Sequence, residues 1–300
     1  MADSLKYTEY KYGTENELQR LGVWQFPTDE PSTEETKYWL VYIHGGAWRD
    51  PRIDHTTARP TIGSLLLGGG TTARPSRIAG IASLDYRLSA HPSFPQDPSR
   101  EPPSRLRSAR HPDHVRDVHA ALALLGREFG LGAGAEGTPY VLFGHSCGAT
   151  LALQVLMGEW VQDREPERVP LPAAVVGFQG MYDLAGLNAR FGGAYGELLS
   201  GAFGPDEAVW EAVSPARFRG SFRGNWGADP GLAVLAYSPQ DELIDMAEID
   251  VMEMVLRDDG LDVLAFRDLE GGHDEVWEDG RHLGRVLLRT IEELDRLGKK

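Results

Sequence analysis

The feature that most restricts this chain is the run YVLFGHSCGATLALQVL over residues 140 to 156. It begins as a short, continuously apolar stretch, the pattern of a strand covered on both faces, and ends with the composition of a buried helix. Only Gly144-His145-Ser146-Cys147-Gly148 is left between them to turn the chain. So sharp a turn needs glycines where the two backbones approach. It also holds Ser146 in a strained conformation, with its hydroxyl presented at the carboxyl end of a sheet. A G-x-S-x-G match alone is a weak signal, since such turns recur by chance. The strand before it and the helix after it give this one its weight.

The rest of the sequence supplies a sheet for that turn to sit on. Tyr38 to Ile43, Ile78 to Leu84, Tyr140 to Phe143, Ala173 to Phe178, Gly231 to Tyr237 and Leu261 to Phe266 are short apolar runs that read as buried strands. Helical patterns lie between several of them. Val115 to Phe129 puts Val115, Val118, Leu122 and Leu125 on one face, and His282 to Leu297 closes the chain with an amphipathic period. Strands alternating with helices predict a mostly parallel sheet flanked by helices. With 300 residues and 41% hydrophobic content, one domain spanning residues 1–300 is expected. Two stretches interrupt the alternation. Residues 89–113 are rich in Pro, Ser and Arg and predict a long irregular surface excursion, more decoration than pocket rim. Residues 181–228 exceed an ordinary crossover and carry Phe191, Tyr195, Phe203 and Trp210, which predicts a small cap over the sheet.

A second motif follows the strand YWLVYI. In His44-Gly45-Gly46-Ala47-Trp48 the glycines clear side chains from the path of a developing oxyanion and free backbone N–H groups to meet it. The expected donors are the N–H groups of Gly46, Ala47 and Cys147. His44 is expected to anchor the loop, and Trp48 to help line a substrate pocket. The base and acid should lie downstream, in the chain order serine, acid, histidine. His273, in Gly271-Gly272-His273-Asp274, is the expected base; His282 falls at the start of a helix and reads as a solvent-facing or capping residue. Among the acids after the strand GLAVLAY, Asp241 is the choice. Asp245 is the runner-up, a helical turn deeper, and Glu242 is expected to point away. Cys147 reads as a structural thiol packed into the following helix. Together these features predict the α/β-hydrolase fold and a serine nucleophile, Ser146, with Asp241 and His273 completing a triad.

Composition narrows the partners. A formal charge of -15 repels phosphate backbones and anionic headgroups, so neither nucleic acid nor membrane is an expected partner. The first twenty residues lack the apolar run of a secretory signal, and Cys147 is the only cysteine, which together predict a cytoplasmic protein. A small-molecule substrate is expected; a homodimer is allowed without being required. His111, Asp113, His114, Asp117 and His119 could be imagined as metal ligands, but they read better as the polar opening of a helix, so no metal and no cofactor is expected. A general carboxylesterase would share every catalytic element. A non-catalytic interaction protein would be expected to have lost a triad residue, and none is missing.

HGGAW, GHSCGA, the opening YKYGTENELQRLGVWQFP and the segment YDLAGL…AFGPDEAVWEAVSPARF together resemble the kynurenine formamidases of the α/β-hydrolase superfamily, particularly the fungal ones. The resemblance implies hydrolysis of N-formyl-L-kynurenine to L-kynurenine and formate, a step of tryptophan breakdown towards NAD. It also implies Ser146 as nucleophile, Asp241 as acid, His273 as base and residues 44 to 48 as the oxyanion loop. The excursion at 89–113 is longer than the resemblance leads one to expect.

Ser146→Ala is expected to abolish labelling by a fluorophosphonate probe and to lower turnover by several orders of magnitude. Labelling retained at another serine would remove Ser146 from its assigned role.

Overall fold

The structure, a computed structural model, describes residues 5–26, 36–68, 75–132, 137–158, 169–227 and 229–299. Its strands are β1 (Lys6–Lys11), β2 (Arg20–Gln25), β3 (Tyr38–Ile43), β4 (Ile78–Leu84), β5 (Tyr140–His145), β6 (Ala174–Phe178), β7 (Leu232–Ala236) and β8 (Asp262–Phe266). They form one sheet in the order β1-β2-β4-β3-β5-β6-β7-β8. The β1/β2 and β2/β4 pairs are antiparallel and the rest are parallel. β1 and β2 are additions to the strands expected from sequence. KYTEYK is a largely exposed edge with polar residues throughout, and RLGVWQ offers only the four-residue run LGVW between Arg20 and Gln25, so neither shows the longer apolar run of a buried strand.

The helices are α1 (Arg59–Leu66), α2 (Asp113–Phe129), α3 (Cys147–Leu156), α4 (Leu184–Arg190), α5 (Gly196–Phe203), α6 (Glu207–Val213), α7 (Phe222–Trp226), α8 (Met246–Asp258), α9 (Glu275–Asp279) and α10 (Arg281–Leu297). Alternate side chains of each parallel strand enter different cores. Trp39, Val41 and Ile43 of β3 join Val115, Val118, Leu122 and Leu125 of α2 and the apolar residues of α3. Tyr38, Leu40 and Tyr42 join Ile62 and Leu65 of α1 with Leu283, Val286, Leu287 and Ile291 of α10. Each such fully buried aliphatic side chain contributes about 1.5–3 kcal/mol of transfer free energy. No helix among the described residues is long and apolar enough to cross a membrane.

β3 has β4 on one side and β5 on the other. The chain therefore reverses its winding there, and the loops leaving β3 and β5 open a crevice at the carboxyl ends of the strands. α4 to α7 occupy the segment expected to form a cap, whose last expected residue, 228, lies outside the described residues. The excursion at 89–113 is irregular, with one short turn at Pro103–Arg105, yet it is stitched down at several points. Asn16 Nδ2 donates to Leu106 O at 3.1 Å. Ser89 N donates to Trp48 O at 2.8 Å, and His111 N to Ala202 O at 2.8 Å. These bonds tie the segment to the loop after β3 and to α5.

A Cβ added to Gly148 would stand 2.2 Å from the carbonyl oxygen of Ile43, and one on Gly144 would stand 2.2 Å from the backbone of Gly148. Neither contact can be relieved by turning a side chain. Gly148→Ala is therefore expected to lower stability by ~3 kcal/mol, the upper end of overpacking costs. Gly63→Ala on α1 meets nothing within 4 Å and should be neutral or slightly stabilising. Urea unfolding of the two variants checks the contrast, and equal midpoints would contradict it.

Candidate active site

Ser146 has φ 55° and ψ −124°, a conformation that L residues rarely adopt. It is held there by its N–H, which donates to Phe178 O at 2.9 Å, and by the start of α3 behind it. The facing loop is strained as well: Gly46, Ala47 and Trp48 have φ of 90°, 51° and 58°. Arg49 N and Asp50 N both donate to Gly46 O, at 3.0 and 2.8 Å, which folds the loop back on itself. The Tyr86 hydroxyl lies 3.1 Å from the carbonyl oxygens of both His44 and Gly45, and the His44 ring stacks on Tyr86 at 4.5 Å. Trp48 N donates to Cys147 Sγ at 3.3 Å.

The N–H groups of Ala47 and Cys147, two of the expected oxyanion donors, lie beside the same sulfur. Burial pushes the Cys147 thiol up to about 11. It is protonated at neutral pH and serves as an acceptor and packing group, not as a nucleophile.

His273 follows β8 and meets the loop that follows β7. Its Nδ1 is 2.8 Å from Asp241 Oδ2, while Asp241 Oδ1 accepts the N–H groups of Leu243 and Ile244 at 2.8 and 2.9 Å. One carboxylate oxygen is thus fixed by the backbone and the other is left for the imidazole, an arrangement that sets the tautomer of the ring. Further bonds join the two loops. Ser238 Oγ donates to Gly271 O at 2.6 Å, and Gly271 N donates to Gln240 Oε1 at 2.6 Å. His273 N donates to Glu242 Oε2 at 3.0 Å. The expectation that Glu242 points away is corrected, because the turn after Asp241 brings its side chain back under the histidine backbone. Ser146 and His273 are both nearly buried, and no hydrogen bond joins them among the described residues. Such contacts are often open without substrate.

Other expected residues lie elsewhere. Asp245 directly precedes α8 without capping it through its side chain, and pairs with Arg190 of α4 at 2.6 Å, away from His273. His282 accepts from Glu270 N at 3.3 Å. Trp48 is fully buried, its ring edge-on to Phe203 of α5 at 4.9 Å. Trp48 is not among the residues lining the cavity beside Gly45 and Gly46; it packs between the loop after β3 and α5. In the imagined metal cluster, Asp117 is taken by Arg87 and Gln19, and His114 by Ser89. Among the described residues the donor atoms that do converge, within 4.8 Å, are those of His145, His273 and Asp274.

His145 and Asp85 are participants the sequence reading missed. His145 Nε2 lies 2.9 Å from His273 O and 3.2 Å from Gln179 Oε1. Burial, and next the nearby His273, pull its pKa down to about 3, so it stays neutral and can donate to the His273 carbonyl. Its signal was its place beside Ser146. Asp85, at the end of β4, is buried; burial raises its pKa, but bonds from His55 and Arg20 and the nearby His44 outweigh this and hold it below the usual carboxylate value. A cavity of about 340 Å³ opens beside Gly45, Gly46 and Asp274. Over the same end, Arg49 pairs with Glu197 of α5 at 3.1 Å, and the Tyr195 hydroxyl donates to Leu243 O.

No protein-family model matches the chain. It is 36% identical to a kynurenine formamidase-like hydrolase of Fusarium equiseti over 98% of this chain and 97% of the relative. It is 34% identical to a kynurenine formamidase of Aspergillus versicolor over 80% and 84%. Among solved structures, esterase B from Lactobacillus rhamnosis superposes with a TM-score of 0.67 at 16% identity, covering 99% of this chain and 88% of that one. A truncated carbohydrate esterase from gut microbiota gives 0.64 at 15% identity, covering 97% and 99%. These structures share the α/β-hydrolase fold.

The two acids make different predictions. Asp241→Asn, which turns an amide N–H₂ toward or beside the ring, should lower kcat by about 10⁴-fold. Asp245→Asn, which weakens only the tie to Arg190, should cost less than about tenfold. Steady-state kinetics on the same substrate decides, and a larger loss at Asp245 would reverse the assignment.

Proposed function

The chain belongs to the kynurenine formamidase family, and from that premise we propose that it hydrolyses the formamide of N-formyl-L-kynurenine to L-kynurenine and formate. The observation that carries this reading is the Asp241–His273 pair, closed at 2.8 Å, on the loops beside the Ser146 elbow. In the proposed reaction His273 takes the hydroxyl proton as Ser146 Oγ adds to the formyl carbon. The N–H groups of Gly46, Ala47 and Cys147 receive the oxyanion, each such donor contributing about 2.7–4 kcal/mol to the transition state. His273 then gives its proton to the aniline nitrogen as the C–N bond breaks. Water, deprotonated by His273, adds to the formyl ester on Ser146, and as the C–Oγ bond breaks His273 returns the proton to Oγ, releasing formate and regenerating the hydroxyl. Asp241 stabilises the imidazolium that forms in each half.

A formyl group has no side chain, so an acyl pocket is unnecessary. The narrow space beneath Gly45, where an added Cβ would meet His145 Nδ1 at 2.9 Å and Ser146 Cβ at 3.3 Å, suits that requirement. One sheet carrying every participating loop supports a single domain over 1–300 with a cap at about 181–228. A buried, unpaired Cys147 supports a cytoplasmic setting.

The expected result is a higher kcat/KM for N-formyl-L-kynurenine than for p-nitrophenyl acetate, although the ester has the better leaving group, because a formamide-cleaving site uses binding energy to orient its substrate. The reverse order would favour a general carboxylesterase. EDTA should leave turnover unchanged; a strong loss would bring His145, His273 and Asp274 forward as metal ligands.

A further inference from the structure

The cavity beside Gly45 and Gly46 is not used by the bond-cleavage steps above. At about 340 Å³ it falls in the range of small-molecule sites. Gly45 and Gly46 line it, an added Cβ on Gly45 standing 3.3 Å from Ser146 Cβ, and so does Asp274, the chain neighbour of His273. Tyr42, Ile53 and Trp277 give it apolar walls suited to an aryl ring, while Arg52, Asp274 and Glu278 charge its mouth.

Arg52, with 69% of its side chain exposed, stands at the solvent end of this lining. Asp50 holds its Nε at 3.0 Å and its Nη2 at 2.7 Å, and the guanidinium lies over the Phe94 ring at 5.3 Å. The fork and the ring fix the plane of the group in advance, which reduces the entropy lost on binding. Nη1, with two donors, keeps no partner among the described residues. Phe94 comes from the excursion at 89–113, so that segment packs against Arg52 of the cavity lining. On the opposite wall, Trp277 Nε1 donates to Asp274 Oδ1 at 3.0 Å and leaves Oδ2 for another donor. Asp50 already balances Arg52, whereas Asp274 and Glu278 have no ion-pair partner among the described residues. The mouth thus offers one cationic and one anionic station.

We propose that this cavity is a recognition site for a zwitterionic α-amino acid head group, in which Arg52 binds the carboxylate and Asp274 with Glu278 binds the ammonium. The proposal rests on the formamide-cleaving reading and specifies which formamides the site prefers. Arg52 is then a specificity-determining residue, acting on KM more than on kcat.

The test compares N-formyl-L-kynurenine with N-formylkynuramine, which lacks only the carboxylate, and with 2-formamidoacetophenone, which lacks the whole head group. The native protein should prefer N-formyl-L-kynurenine over N-formylkynuramine by about tenfold or more in kcat/KM, the scale of a charge-assisted hydrogen bond. Arg52→Gln should erase that preference through KM. Phe94→Leu, which removes the ring under the guanidinium, should reduce it partway. Glu278→Gln should narrow the advantage of N-formylkynuramine over 2-formamidoacetophenone. An unchanged preference in Arg52→Gln, or equal losses on all three substrates, overturns the proposal while leaving the formamidase reading intact. Failure of the native protein to cleave any of the three removes both.

Discussion

The contact between Gly148 and the carbonyl of Ile43 is the constraint on which the site depends. Any Cβ there would stand 2.2 Å from that oxygen, so the end of β3 and the start of α3 lie backbone against backbone. This closeness makes the loop leaving β3 and the turn leaving β5 two walls of one crevice. The cost is visible in the backbone. The described non-glycine residues with positive φ are Ala47, Trp48, Ser146 and Gln179, and all four lie at the ends of β3, β5 and β6. Each such residue costs on the order of 1–3 kcal/mol and persists only where its surroundings over-determine it. Here the surroundings are specific bonds: Ser146 N to Phe178 O, Gln179 N to Ala236 O, and Trp48 N to Cys147 Sγ.

Ionisable groups hold the loops that the sheet brings together. Asp85 collects His55, Arg20 and the neighbourhood of His44 at the end of β4, and so steadies the HGGAW loop from below. Asp241 and Glu242 do the same for the histidine loop, one through the imidazole and the other through the backbone N–H of His273. His145 closes the circuit, since its ring meets the His273 carbonyl while its own backbone belongs to the serine turn. A displacement of any one loop therefore strains bonds to the other two. This coupling suits a reaction that needs its groups placed within a fraction of an ångström.

The segments 181–227 and 89–113 are tied to the loops that carry these groups. Arg190 reaches from α4 to Asp245 and to the buried Glu248, and the Tyr195 hydroxyl donates to Leu243 O, so the cap is tied to the loop that carries Asp241. The Arg49–Glu197 pair is exposed on its acidic side, and a surface pair of that kind contributes little. The more durable link is the burial of Trp48 against Phe203.

The sequence by itself determined the parts that depend on local pattern. Apolar runs of strand length, the glycine-flanked serine and the glycine-rich loop after YWLVYI are recorded in consecutive residues, because strand burial, tight turns and close backbone approach each demand particular residue types in place. The parallel sheet, the Ser146 elbow and the loops bearing Asp241 and His273 were legible for that reason. β1 and β2 were not, since an exposed edge strand and a four-residue apolar run flanked by Arg20 and Gln25 carry only a weak apolar signature. Only the tertiary structure decided which side chains converge from distant segments. It turned Glu242 toward His273, buried Trp48 against Phe203, made Asp85 and His145 props of the site, and set Phe94 beneath Arg52. Those outcomes depend on loop paths and rotamers selected by packing between elements far apart in the chain, and no run of neighbouring residues contains that information.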